Sequence, residues 1–460
     1  MSRSNKNQLT FSMQVFIFFL LSIFLTTLSG CDFTSQEDHP NIVLIINDTL
    51  RSDRLGCYGY PAPVSPSFDS LAREGIQFSS VMTQCSWTRP SIGSMLTSNY
   101  PRTVGIFRET EEILPDRFLT LPEALDKNGY TTIGINTNPH LNKVFNFHQG
   151  YNHYMESTVV MDWMPYEEDK YSFTERTYPP AHQVFQTALA KVSEIGDDDP
   201  IFLSILIMDI HECLSSFKLS EIREYFNEPG NVFSNYPMTV RQINFDTRLL
   251  LSRLLSIPGW EDTIVILTSD HGEGLDTHPN VERSISHGHL LYESQLMVPW
   301  IVYNPSWKDR SVLVSEMVRW MDLAPTVCSL AGLDVPESFK GISLMPLIHR
   351  KTDAVKLPEY FVAETHFRNN EKIAVYSDKW KYIENRDGHE GLNPVELQRL
   401  HNKEDGLMTD RYPQYKYEAD PLKNYLRQWE RHNPKADPIT YEDTLSLKEV
   451  RQMKSMGYMK

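Results

Sequence analysis

Cysteine is scarce in this chain, five among 460 residues. Cys57, Cys85, Cys213 and Cys328 lie far apart, and their spacings match no zinc pattern, so a zinc-knuckle scaffold is excluded. An exported chain can pair such residues, but small buried thiols are the plainer expectation. Basic charge is short as well. Forty-four Lys and Arg face 60 Asp and Glu, a formal net charge of −16, which removes nucleic acid as a main partner because phosphate backbones need cationic neutralisation. Internal repeats are missing. After Leu28 there is no apolar run approaching the ~20 residues that cross a bilayer. What is present is a core. The chain is 40% hydrophobic and 11% aromatic, and long enough for one large α/β domain plus a smaller one.

The first residues read as an address and not as fold. Arg3 and Lys6 are basic, and Val15–Leu25 is apolar except for Ser22. That run is too short to span, which fits a signal peptide. Leu28-Ser29-Gly30-Cys31 resembles a bacterial lipobox, in which the cysteine is acylated and becomes the mature N-terminus. The expectation is a lipoprotein signal over 1–30, lipidation at Cys31, a tether over 31–40, and a place on the periplasmic side of the inner membrane, as Asp32 suggests. An ordinary secretory signal with a chance cysteine is the alternative.

Next, Asn41–Ile46 reads NIVLII, a continuous β-branched run typical of a strand buried on both faces of a parallel sheet. It ends at Asp48. Ile201–Met208 is a second such run and ends at Asp209 and His211. Thr263–Leu267 is a third and leads to Asp270 and His271. Helical patterns separate them, at Pro66–Gly75, Leu121–Asn128, Ala181–Ile195 and Asn244–Ser256. In open α/β sheets ligands bind beyond the carboxyl ends of the strands, so these acids and histidines should converge on one edge. Thr131–Ile135 and Val298–Tyr303 are further strands, and Val314–Ala331 reads as a helix interrupted at Pro325. From about Lys356 the pattern becomes short strands, Tyr360–Thr365, Ile373–Tyr376 and Trp380–Ile383, which fit a small antiparallel sheet. A last helix is expected near Leu447–Met456.

Between these elements lies Cys85–Ser98, CSWTRPSIGSMLTS. Pro90 suits the first turn of a helix, and Ile92, Met95 and Leu96 follow at helical spacing. Thr88 should therefore sit just ahead of a helix N-terminus, where free N–H groups favour an anion. Its hydroxyl is a candidate nucleophile, or merely a helix cap.

Together these residues resemble the sulfatase family of the alkaline phosphatase superfamily. The matching stretches include NIVLIINDTLRSDRLGCYGY at Asn41–Tyr60, TRPSIGSMLTSNYPRTVGI at Thr88–Ile106, MDIH at Met208–His211, TSDHGE at Thr268–Glu273 and HGHLLYES at His287–Ser294. The resemblance implies a mixed, mostly parallel central sheet flanked by helices over 41–350, with a small antiparallel-sheet subdomain over 351–460. It implies a divalent metal ion, Mn, Zn or Ca, on Asp48, Asp270, His271 and the Thr88 oxygen. Carboxylates with one imidazole suit such ions, and a metal lowers the pKa of a hydroxyl. His211 would contact the ester oxygens, with Asp209 holding it or joining it at a second ion. His287 or His289 would act as leaving-group acid or as another ligand. Arg89 would pair with a substrate oxyanion, or be a solvated charge at the helix start.

Two departures bear on the reaction. Most sulfatases carry Cys-x-Pro-Ser-Arg, whose cysteine becomes formylglycine. Here Thr88 and Ile92 occupy the Cys and Arg positions, so formylglycine should not form. Asp48 is followed by Thr49 where many sulfatases have a second Asp. A threonine nucleophile favours phosphate monoesters or diesters over sulfate esters. The alternatives are transfer of a phosphoryl-alcohol head group to an envelope lipid or glycan, and a non-catalytic glycan- or lipid-binding role.

Overall fold

A computed structural model describes residues 39–108, 112–156, 160, 178–196, 199–215, 232–275, 277, 286–307, 311–386, 392–400 and 410–440. The signal and lipobox residues, and the helix expected near 447–456, lie outside them. At the centre is β1 (Ile42–Asn47), with β5 (Ile201–Ile207) on one side and β6 (Ile264–Thr268) on the other, both parallel to it. The three apolar runs are thus neighbours. Successive side chains of a strand point to opposite faces, and here both faces are covered. Ile42, Leu44 and Ile46 join one hydrophobic cluster, Val43 and Ile45 the other. That two-sided burial is why the run carries no polar alternation. A fully buried aliphatic side chain contributes roughly 1.5–3 kcal/mol.

The sheet has eight strands among the described residues, in the order β4-β3-β5-β1-β6-β7-β2-β8. Its other members are β2 (Ile76–Met82), β3 (Thr131–Asn136), β4 (His153–Glu156), β7 (Met297–Tyr303) and β8 (Val312–Arg319). Only β7 runs against its neighbours. Helices α1 (Pro66–Glu74), α2 (Thr88–Thr97), α3 (Leu121–Asp126), α4 (Ala181–Ile195), α5 (Asp209–Ser215), α6 (Val232–Leu254) and α7 (Leu323–Leu330) connect the strands. A second sheet of four antiparallel strands, β9 (Phe361–Phe367), β10 (Asn370–Tyr376), β11 (Trp380–Asn385) and β12 (Val395–Arg399), packs with helix α8 (Lys416–His432). From Pro40 onward the chain forms one compact unit. The fold is the mixed, mostly parallel α/β class with a small antiparallel sheet that the sequence implies.

Three expectations need correction. Val314–Ala331 is not one interrupted helix. Residues 312–319 form β8, whose first four side chains alternate buried and exposed along an edge, and α7 begins only at Leu323. Pro325 then lies in the first turn of α7, where proline breaks nothing. Thr88 is not ahead of its helix but is its first residue, with Trp87 as the cap. Helix α6 begins twelve residues earlier than Asn244.

Candidate active site

Strand β1 delivers Asp48, and the next residue sets its direction. Thr49 has φ 64°, a left-handed conformation costing a β-branched residue about 1–3 kcal/mol. The strained turn is held from outside. The Tyr236 hydroxyl on α6 donates to the Thr49 carbonyl at 2.8 Å and accepts from the Arg51 N–H at 2.9 Å. Strand β6 delivers Asp270 and His271. Ser269 Oγ donates to the His271 carbonyl at 2.7 Å, and Gly272 passes so near Ser294 that a Cβ would lie 2.1 Å from its carbonyl oxygen. No other residue fits there. Helix α2 delivers Thr88, and its Ser91 hydroxyl donates to the Asp270 carbonyl at 2.5 Å, fixing helix to strand.

Asp48, Thr88, Asp270 and His271 meet, all buried. Candidate ligand atoms of Asp48, Asp270 and His271 lie within 4.8 Å of one another. His271 Nδ1 is 2.9 Å from the Gly272 carbonyl, so it carries the proton and Nε2 presents a lone pair. That nitrogen sits 3.3 Å from Asp270 Oδ2 and 3.7 Å from Asp48 Oδ1. The outer carboxylate oxygens are satisfied. Asp270 Oδ1 accepts from the N–H groups of Thr49 and His271 at 3.3 and 2.9 Å, and Asp48 Oδ2 accepts from Asn138 Nδ2 at 2.7 Å. The inner oxygens, Asp48 Oδ1 and Asp270 Oδ2, accept no hydrogen bond. Three lone-pair donors thus face one another with only the Thr88 hydroxyl proton beside them, an arrangement that costs free energy without a cation. The residues fit a divalent ion.

Proton affinities carry the same strain. Burial, then the neighbouring Asp270, raises the Asp48 pKa, and burial raises that of Asp270 to about 6. Burial, then the neighbouring His287, lowers His271 to about 4. Burial also depresses His287, but the Glu273 carboxylate, 2.9 Å from its Nδ1, together with Asp48 and Asp270 outweighs this and leaves its pKa raised. The His287 ring lies 4.6 Å from that of His271 and 5.1 Å from that of His211, between centroids. His211 stands in the first turn of α5 with its pKa lowered by burial, and Asp209 opens the same helix.

The Thr88 hydroxyl bonds across the site and not along its own helix. Its Oγ1 lies 3.2 Å from His271 Nε2 and accepts from Asn138 Nδ2, also at 3.2 Å. Asn138 therefore ties the hydroxyl to Asp48, a role the sequence reading missed. The signal was present. Asn138 follows the carboxyl end of β3, and Asn136 fixes it through a pair of side-chain–backbone bonds at 2.9 and 3.1 Å. Glu273 was also missed as the partner of His287.

Two further predicted residues pack against aromatic rings. Arg89 is buried over the Phe145 ring, 3.7 Å from its centroid, and donates to the His140 carbonyl at 3.2 Å. His289 is buried edge-on against Phe367 at 4.9 Å. Cys31 is outside the described residues. Cys57, Cys85 and Cys328 are free thiols.

A Delta 4,5-hexuronate-2-O-sulfatase of Bacteroides thetaiotaomicron is 23% identical to this chain over 396 residues, 74% of this chain and 78% of that protein. A solved 2-O GAG sulfatase superposes with a TM-score of 0.71 at 19% identity, covering 86% of this chain and 92% of the other. A phosphonate monoester hydrolase from Silicibacter pomeroyi gives 0.65 at 16% identity, with 86% and 96% covered. The family pattern named N-sulphoglucosamine sulphohydrolase, C-terminal, matches residues 283–432. The sulfatase pattern itself matches residues 40–333, every strand of the large sheet included, and the chain belongs to the sulfatase family.

Proposed function

We propose that this sulfatase-family ester hydrolase uses the Thr88 hydroxyl as its nucleophile, needs a divalent metal ion, and cleaves phosphate esters, diesters foremost, faster than sulfate esters. The observation that carries this is Thr88 Oγ1 within 3.2 Å of both His271 Nε2 and Asn138 Nδ2, at the position where most relatives need a modified cysteine. A bound ion on Asp48, Asp270 and His271 would supply positive charge that acidifies the hydroxyl and offsets charge on the transferred group.

The chain's own groups do the rest. Asn138 holds the Thr88 oxygen and Asp48 in register. The Thr88 oxygen bonds to phosphorus, its proton passing to solvent, while the leaving alcohol departs with a proton from His287. Glu273, 2.9 Å from its Nδ1, helps to hold that imidazole's pKa above the ordinary histidine value. Water then attacks the same phosphorus from the opposite side, His287 recovers a proton, and Thr88 is released and reprotonated. A formylglycine hydrate can expel sulfate without attack at sulfur, whereas a threonine ester cannot, which is why phosphoryl transfer is favoured. One relative is named as a hexuronate-2-O-sulfatase, so an anionic sugar of the envelope is a fitting leaving group. Acylation of Cys31 would hold the enzyme on the periplasmic face of the inner membrane, and mass spectrometry of the native N-terminus decides it.

The test is a panel of sulfate monoesters, phosphate monoesters and phosphodiesters with added Mn²⁺, Zn²⁺ or Ca²⁺. Diester turnover should exceed sulfate turnover. Cleavage of sulfate esters alone rejects the assignment.

A further inference from the structure

Helix α6 turns a long side to solvent. Met238, Phe245 and Leu249 stand on it, 60%, 46% and 40% exposed, half of the large exposed hydrophobic residues among those described. Their spacing, i, i+7, i+11, puts them in one stripe. Arg241, Arg248 and Arg253 are exposed beside them, and none pairs with an acid among the described residues. Arg248 lies over the Phe245 ring at 5.3 Å. The helix's only acid, Asp246, is buried and bonded by Gln242 at 3.1 Å. The face is therefore apolar and cationic in a chain carrying −16.

We propose that this face lies on the headgroup layer of an anionic lipid bilayer. Three arguments favour lipid over a protein partner. The pattern of apolar residues with arginines and no exposed acid is that of an interfacial helix. An anionic surface repels most of this chain and attracts this face. The chain also enters the fold at the right end. Asn41 donates to the Gly259 carbonyl at 3.1 Å, five residues beyond the last residue of α6. The ten steps from Cys31 to Asn41 reach at most ~34 Å, about the length of α6 itself. At the other end, Tyr236 hydrogen-bonds Thr49 and Arg51, so docking would hold the rim of the site near headgroup level. No helix among the described residues is long and apolar enough to cross a membrane, so docking is peripheral. The proposal rests on the lipid-anchor reading for its location, not for its chemistry.

The full-length chain carrying Phe245→Cys, labelled with an environment-sensitive fluorophore, tests it. The parent chain, labelled in parallel, corrects for native thiols. The chain is reconstituted on vesicles of phosphatidylcholine alone and of phosphatidylcholine mixed with phosphatidylglycerol. The probe should resist an aqueous quencher on the anionic vesicles and stay accessible on the neutral ones. Arg241→Glu and Arg248→Glu should each lower the docked-to-undocked ratio by about five-fold or more, while hydrolysis of a soluble ester is unchanged. A probe accessible on both vesicles overturns the proposal. Equal protection on both, surviving each arginine substitution, also overturns it, since a second copy or another segment then covers the face. Sedimentation with vesicles and mass analysis at Cys31 separate the two ideas. A chain that sediments with an accessible probe keeps the anchor and loses the docking. An unacylated chain with a protected probe does the reverse, and one left in the supernatant loses both.

Discussion

Two charge clusters in this molecule, one fully buried and one only partly so, are built on opposite plans. At the strand ends, Asp48 and Asp270 turn oxygens toward each other and toward a histidine lone pair, and among the described residues no Lys or Arg pairs with them. Under the second sheet, Arg102 bonds Glu364 at 2.7 Å and Glu430 at 3.3 Å, Arg386 bonds Glu371, Glu384 and Glu430, and Arg427 bonds Glu430 and Glu384. The first cluster holds its carboxylate pKa values up; most of the second is pulled below the usual range. Glu364 is the exception, raised because its burial outweighs Arg102. The second cluster brings its own counter-charge and serves cohesion. The first lacks one and is arranged to take it from outside.

The largest effect expected is at the nucleophile. Thr88→Ala should cut kcat by at least about 10³-fold if covalent catalysis and hydroxyl activation fail together, and Thr88→Ser should keep part of the rate. Steady-state diester hydrolysis with added metal measures it, and near wild-type turnover in Thr88→Ala removes the nucleophile from the account. Next comes Arg102→Ala. It strands a buried Glu364 and should cost about 3–5 kcal/mol of stability with metal affinity unchanged. Calorimetry and metal titration on the same variant read both, and lost metal affinity with stability intact would mean that the clusters are not separate.

Opposite signs sharpen the contrast further. With metal chelated, Asp270 has a pKa of about 6 in the fold and about 3.9 unfolded. Its folded value is raised, so stability is full below pH ~4 and is lost as pH rises through 6, by about 3 kcal/mol at most. Asp270→Asn should therefore make the chelated protein more stable than chelated wild type at pH 8, while abolishing metal binding. Asparagine still accepts from the Thr49 and His271 N–H groups, so the comparison isolates charge. A lower melting temperature for the chelated variant would defeat the reading.

How far the sequence revealed this depended on how local each signal was. The strands β1, β5 and β6 were legible because burial on both faces demands an unbroken apolar run, and Asp48, Asp270 and His271 because they stand directly at the ends of such runs. Strand β2 was missed. Ser79 and Ser80 interrupt its pattern where the register shifts between Phe78 and Val81. Helix α8 was missed although Ala419, Leu422, Leu426 and Trp429 keep helical spacing, since Pro421 and a charged surface mask it. Asn138 escaped because a neutral amide at a strand end is a weaker chemical signal than an acid or a histidine. The place of Arg89 depends on Phe145, 56 residues away, and no local pattern encodes that packing.

The smallest effect tests whether the paired cluster gains from its pairing. Glu430 is partly exposed, and burial alone would raise its pKa, but the Arg386, Arg427 and Arg102 guanidiniums around it pull it down to about 2. A depressed acid stabilises the fold above its unfolded pKa, about 4.3, and that contribution fades as pH falls through 2. Solvent screening reduces it to about 1 kcal/mol. The difference in melting temperature between wild type and Glu430→Gln should thus be constant above pH 5 and shrink steadily below pH 4. This window lies under the pH 4–6 range in which Asp270 acts, so the two clusters titrate apart. A difference that is flat down to pH 2 would show that the arginines give Glu430 nothing, and the contrast between the two clusters would then rest on geometry alone.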